Sequence, residues 1–163
     1  MLKRVIAIIA MTLMWMDGVV AGQFEDALAA AQRGDYATAL RLWRPLAEQG
    51  DDHAQFDVAY MYEHGNGVPQ DFAEAAKWYR LAAEQGYGSA QLNLATMYAR
   101  GDGVPPDYVQ AHMWFNLAAS GLPSSIVPKD RDKAVKYRDI IASNMTPAQI
   151  AEAQKLAREW KPK

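Results

Sequence analysis

The chain contains no cysteine, which removes disulfide staples and every thiolate metal or redox site at once. Exported proteins with an adequate core need no disulfide, so this absence leaves the compartment open. Long hydrophobic runs are missing too: the longest, Val5 to Met16, is about twelve residues, short of the roughly 20 that span the hydrocarbon core of a bilayer. Positive charge is nowhere concentrated on one face, and a nucleic-acid partner is not expected. Ser-x-x-Lys, Ser-Asp-Asn and Lys-Thr-Gly, the signatures of acylating serine enzymes, do not occur. The three histidines, His53, His64 and His112, form neither a His-x-x-x-His nor a Glu-x-x-His pair. No metal site, no cofactor and no catalytic residue are expected.

What the chain does have is alanine and repetition. Half of its 163 residues are apolar, enough for one sizeable core, and so much alanine favours closely packed helices over a sheet. Moved forward by 36 positions, Gly65, Gly67, Val68, Pro69, Asp71, Ala75, Trp78, Leu81, Ala82 and Ala83 return as Gly101, Gly103, Val104, Pro105, Asp107, Ala111, Trp114, Leu117, Ala118 and Ala119. Self-similarity at a period of this size is the signature of stacked supersecondary units. The fold class that follows is all-α, a solenoid of antiparallel helix pairs.

Residues 1–21 have the grammar of a signal peptide: Lys3-Arg4, the apolar run, then Asp17-Gly18 and small residues ahead of a cut after Ala21. A retained membrane anchor is the alternative. An abbreviated helical repeat over 22–50 follows, its loop trimmed to the Arg33-Gly34 corner, with Pro45 expected to kink its second helix. Two full repeats cover 51–86 and 87–121. Their first helices, about Asp52 to Glu63 and Ser89 to Ala99, turn Ala54, Val58, Ala59 and Tyr62, and then Ala90, Leu94, Ala95 and Tyr98, towards the core. Asp71 and Asp107 read as N-caps with Glu74 and Gln110 at capping-box spacing. The second helices set Ala75, Trp78, Tyr79 and Ala82, then Ala111, Trp114, Phe115 and Ala118, inward.

The register breaks after Gly121, and 122–163 reads as a Pro/Ser loop and a capping helix pair. The first of the pair, about Asp130 to Ser143, places Ala134, Tyr137, Ile140 and Ile141 at helical spacing, with Asn144 as a left-handed stop. Thr146-Pro147-Ala148-Gln149 opens the second with a capping box, and Ile150, Ala153, Ala157 and Trp160 share its inner side. Ser124 and Ser125 are turn residues. From Gly22 to Pro128 six basic side chains face thirteen acidic ones, whereas from Lys129 onward nine basic face five acidic. The repeat body is acidic and its end mildly basic.

The Gly-x-Gly-Val loop, the acidic residue after it and the "A…W…LAA" helix resemble the Sel-one-like repeat (SLR) family, a relative of the tetratricopeptide repeat. Ala59 and Ala95 stand where the family usually has glycine. The ending "MTPAQIAEAQKLAREW" is similar to that of exported bacterial members. The resemblance implies a right-handed α-solenoid acting as a non-catalytic adaptor for proteins or peptides. Some cysteine-rich secreted relatives are linked to β-lactam binding or hydrolysis, which gives the alternative of a cell-envelope enzyme or a β-lactam- or peptidoglycan-binding protein; their cysteine pattern is absent here.

The remaining candidate is a surface. First helices of stacked hairpins line the concave side, and their positions off the core are His53, Asp57, Tyr60 and His64 in one repeat and Ser89, Asn93, Thr96 and Arg100 in the next. His53 and Asp57, four apart, share a helix face on which a surface hydrogen bond is expected. Asn93 falls where related repeats carry an asparagine that bonds a peptide backbone, an amide being both donor and acceptor. With Asp57, Glu63 and Asp102 close by, the expected partner is a protein or extended peptide with positive charge. A plain solvated face is the competing reading.

Overall fold

The computed structural model describes residues 22–121 and 128–163. The expected signal peptide and the Ser124/Ser125 turn lie outside the described residues. Among those described there are eight helices and no strand: α1 (22–32), α2 (Tyr36–Glu48), α3 (Asp52–His64), α4 (Phe72–Glu84), α5 (Gly88–Arg100), α6 (Tyr108–Gly121), α7 (Pro128–Ala142) and α8 (Pro147–Glu159). Consecutive helices pack on one another in order, α2 on α3, α3 on α4, and so on to α6 on α7, with α8 folding back on α6. This is the all-α solenoid that the 36-residue period predicts. None of the described helices is long and apolar enough to cross a membrane.

The core is alanine with large side chains set between. Ala54, Val58, Ala59, Ala75, Tyr79, Ala82, Ala90, Leu94, Ala95, Ala111 and Ala118 are all completely buried, so backbones approach closely and Tyr79, Trp114 and Phe115 fill the gaps that remain. Trp78 is half-buried between the two clusters of the core. Met61 and Met97, one period apart, are buried as well. At the far end Trp160 meets Trp114 edge-on at 6.2 Å, and the chain beyond it clips back onto α4, the Lys163 amide donating to the Glu84 carbonyl at 2.9 Å.

Two buried glutamines tie the units together. Gln55 donates to the Ala47 carbonyl at the end of α2 and Gln91 to the Ala83 carbonyl at the end of α4, at 3.1 and 3.2 Å. Each takes the second lone pair of a last-turn carbonyl that already accepts a backbone amide, from Gly50 and from Gly86 respectively. Gln85 extends the first tie, donating to the Gln55 Oε1 and to the Gly50 carbonyl, both at 2.9 Å.

The caps differ in detail from the sequence expectation. Asp71 accepts from the Ala73 and Glu74 amides, and Asp107 from the Gln110 amide, so both are N-caps. Neither box closes reciprocally, because the cap residues' own amides are taken by the Tyr62 and Tyr98 carbonyls at 2.9 and 3.0 Å. Those bonds fasten each loop to the helix it leaves. Glu74 pairs with Lys77 instead. Thr146 and Gln149 do form the full box. Pro45 sits within an unbroken α2, its carbonyl accepting from the Gln49 amide. Asn144 is not left-handed, since no described non-glycine residue has positive φ; α7 stops instead through right-handed turns, with the Ser143 hydroxyl donating to the Ile140 carbonyl at 2.7 Å. Tyr137 and Ile140 do not enter the core and are 37% and 50% exposed.

The loops set the distance between repeats. Gly67 has φ +73°, and a Cβ there would lie 2.7 Å from the Tyr36 carbonyl carbon and 2.8 Å from the Ala37 nitrogen, in the first turn of α2. Gly103, φ +68°, would drive a Cβ into the Phe72 carbonyl in the first turn of α4. Each loop therefore rests, backbone on backbone, on the second helix of the preceding repeat. Gly34 has a similar φ of +79° with nothing within 4 Å of a Cβ, and it separates the two effects. Gly34→Ala is expected to cost about 1 kcal/mol through its backbone angle alone, and Gly103→Ala about 3 kcal/mol through angle and overlap together, both read by urea denaturation.

Candidate functional site

The face expected to bind is formed by the sides of α3 and α5 that the core does not use. At its first end His53 is exposed and stands edge-on to Tyr87, ring centroids 5.0 Å apart at 74°, and to Phe24 at 6.2 Å and 80°. The Phe56 ring centroid lies 5.1 Å from that of Tyr87. Asp57 sits half-buried beside this aromatic group, with no hydrogen bond to any described residue. The expected His53–Asp57 hydrogen bond is not formed, the His53 Nε2 lying instead 4.0 Å from Asp52. Burial pushes the Asp57 carboxyl up from 3.8 to about 6; His53 opposes this and Asp51 adds to it. The Tyr87 hydroxyl is raised in turn, first by burial and then by Asp57 and Asp52.

In the middle of the face the Tyr79 hydroxyl, from the fully buried ring, donates to Glu63 Oε2 at 2.6 Å. Burial and the Glu63 charge raise that hydroxyl well above its ordinary value, while Asn93 beside it acts in the opposite direction. Asn93 is thus within reach of a buried polar pair and still half-open to solvent. Tyr60 stacks on His64 at 3.9 Å and 24°, and the His64 Nδ1 is 2.9 Å from the Tyr60 carbonyl. Ser89 is half-buried. At the far end the Thr96 hydroxyl donates to the Leu92 carbonyl at 3.0 Å. Thr96 and Arg100 border a cavity of about 150 Å³ walled by Phe115, Tyr137, Ile140 and Ile141.

The eight positions expected from the sequence lie on α3 and α5 in three settings: an acidic and aromatic end, a central amide beside the part-buried Tyr79–Glu63 pair, and an apolar end marked by Arg100. Sequence reasoning missed Tyr87 and Phe56, the bond that ties Glu63 to Tyr79, and the exposure of Tyr137 and Ile140. One signal was available for Tyr87. It occupies the N-cap position of α5, where the preceding repeat has Asp51 accepting from the Ala54 amide at 2.7 Å, and it makes no capping bond. An aromatic in a capping position forgoes about 1 kcal/mol of helix stability.

Among the described residues no group of three or more His, Asp or Glu side chains is placed to hold a metal. The hydroxyls of Thr96, Ser120 and Ser143 donate to backbone carbonyls, and none has a histidine for a partner.

The comparisons with known proteins agree with the repeat geometry. The family model described as Sel1 repeat matches residues 28–51, 52–87, 88–121 and 120–137. A crystal structure of a protective antigen present in uropathogenic Escherichia coli strains and displaying an SLR fold superposes with a TM-score of 0.75 at 29% identity. It covers 86% of this chain, while the chain spans only 29% of the antigen. A Sel1 repeat protein from Oxalobacter formigenes superposes with a TM-score of 0.60 at 30% identity, over 77% of this chain and 98% of that one. No curated protein matches.

Asp57 gives a direct test of the site's electrostatics. Its folded value lies above its ordinary one, so the folded state holds a proton that the unfolded state has lost between 3.8 and about 6. Stability from this group is present at the acid side of that window and is lost as pH rises through it. Asp57→Asn is expected to leave stability near pH 4 unchanged and to raise it at pH 7 by about 1 kcal/mol, the full shift being discounted for partial contact with water. Urea midpoints at the two pH values check this.

Proposed function

Because the chain belongs to the Sel1 repeat family, whose fold is one of protein interaction, we propose that it is a non-catalytic, exported scaffold that holds an extended, basic peptide segment along the α3/α5 face. The observation that carries this reading is Asp57. A half-buried carboxylate without a hydrogen-bond donor is an expense to the free protein, and a partner's lysine or arginine side chain removes that expense on docking. Tyr87 and His53 flank the carboxylate with ring faces and edges suited to a cation's methylene stem and charge. Asn93 supplies a paired donor and acceptor for the peptide backbone, and Arg100, with Tyr60 and His64 between, marks the direction of the strand. The pattern of residues 1–21 favours a periplasmic or secreted location, reached after cleavage near Ala21, with membrane contact only before cleavage.

The affinity of such a site depends on pH in the opposite sense from stability. A basic side chain binds the ionised form of Asp57, so affinity is expected to fall as pH drops below about 6. An array of extended peptides differing only in a central arginine, lysine, citrulline or glutamate tests the reading at pH 7 and pH 5. The arginine and lysine peptides should bind about tenfold better than the citrulline peptide at pH 7, lose that advantage at pH 5, and lose it at both values with Asp57→Asn. Asn93→Ala should weaken every peptide alike. Binding that ignores the central residue sinks the proposal.

A further inference from the structure

A second cavity, of about 450 Å³, opens between α6, α7 and α8, away from the α3/α5 face. Its polar lining is His112 and Asn116 from α6, Arg138 and Asp139 from α7, and Gln154 and Arg158 from α8. This volume is in the range of small-molecule sites, which hold a few converging polar groups. It also lies in the basic end of the chain.

His112 is the unexpected member. It is only 3% exposed, and its Nδ1 is buried without a hydrogen-bond partner. A buried polar atom left unpaired costs about 1–3 kcal/mol, and proteins rarely keep one without use. Burial and the neighbouring Arg138 hold the ring below its ordinary value, with Asp139 opposing. The charges around it do not balance. Arg138 is engaged by Asp139 through Nε at 2.9 Å and Nη2 at 2.8 Å, and its Nη1 reaches Asn116 Oδ1 only at 3.4 Å. Arg158 makes no ion pair with any described residue. One positive charge is left over, facing amides and a buried ring.

We propose that this cavity binds a small oxyanion, a carboxylate or a phosphate, between Arg158 and Arg138, with the His112 ring and the Asn116 and Gln154 amides completing its hydrogen bonds. Guanidinium groups match both oxyanions through paired N–H donors. The anion neutralises the surplus charge beside the His112 ring. Because three helices contribute, binding also fastens the end cap of the solenoid.

Inorganic phosphate and acetate, each titrated against chloride at constant ionic strength, test the proposal on the full chain by calorimetry and by the imidazole resonances of His112. The expected result is saturable binding of at least one of the two, with His112 shifting along the same curve while His53 and His64, both exposed, do not. Phosphate alone saturating identifies a phosphoryl ligand, and acetate saturating identifies a carboxylate. Arg158→Gln and Arg138→Gln should each raise the dissociation constant about tenfold, whereas Arg44→Gln, on the distant α2, should leave it unchanged. Arg158 is exposed and unpaired, so its variant keeps the test valid if Arg138→Gln fails to fold. Linear, unsaturable titrations, or equal constants in the wild type and both cavity variants, overturn the site.

Discussion

Everything in this molecule depends on how closely the loop of one repeat can lie on the helix of the repeat before it. At Gly67 and Gly103 the approach is backbone to backbone, on Tyr36–Ala37 and Phe72–Ala73, and a single methyl group is too large for it. That contact sets the stacking distance on the loop side. Gln55 and Gln91 set it on the other, where a buried amide reaches the end of the preceding helix. With both sides fixed, alanine fills most of the interior, and a few larger side chains occupy the gaps left between helices. The relative placement of α3 and α5, and so of Asp57 and Asn93, follows from these two contacts rather than from any bond within the face itself.

The period explains why the fold could be read from the chain and the details of the site could not. A residue that does the same structural job in two repeats appears twice at the same offset, as Asp71 and Asp107 do, or Trp78 and Trp114. The offset reveals that a position matters without saying how. Gly67 and Gly103 read as turn residues, because nothing local shows that another repeat's backbone lies against them. Gln55 and Gln91 recur in the same way and went unnoticed, since glutamine on a helix is ordinarily a surface residue. The capping boxes at Asp71 and Asp107 failed for a tertiary reason: the Tyr62 and Tyr98 carbonyls take the amides that the box requires. On α7, helical spacing placed Ile140 with Ile141, but only Ile141 is buried, Ile140 lying half exposed.

The candidate face is legible in the opposite way, through what does not recur. Tyr87 stands where Asp51 stood, Asn93 where Asp57 stood, and Ala99 where Glu63 stood, so each is exempt from the job its counterpart performs. These are the positions at which local rules are broken: an N-cap without a capping bond, a carboxylate buried without a donor, a tyrosine hydroxyl buried against a carboxylate. Departures of this kind lower stability, and they cluster where function needs them. That the departures at Tyr87 and Asp57 share one contact region argues that a single requirement holds both. On the proposed reading, a cationic side chain entering there would turn an unpaired carboxylate into a paired one and cover the exposed edge of the ring, so that the free protein's two weaknesses would become the complex's two contacts.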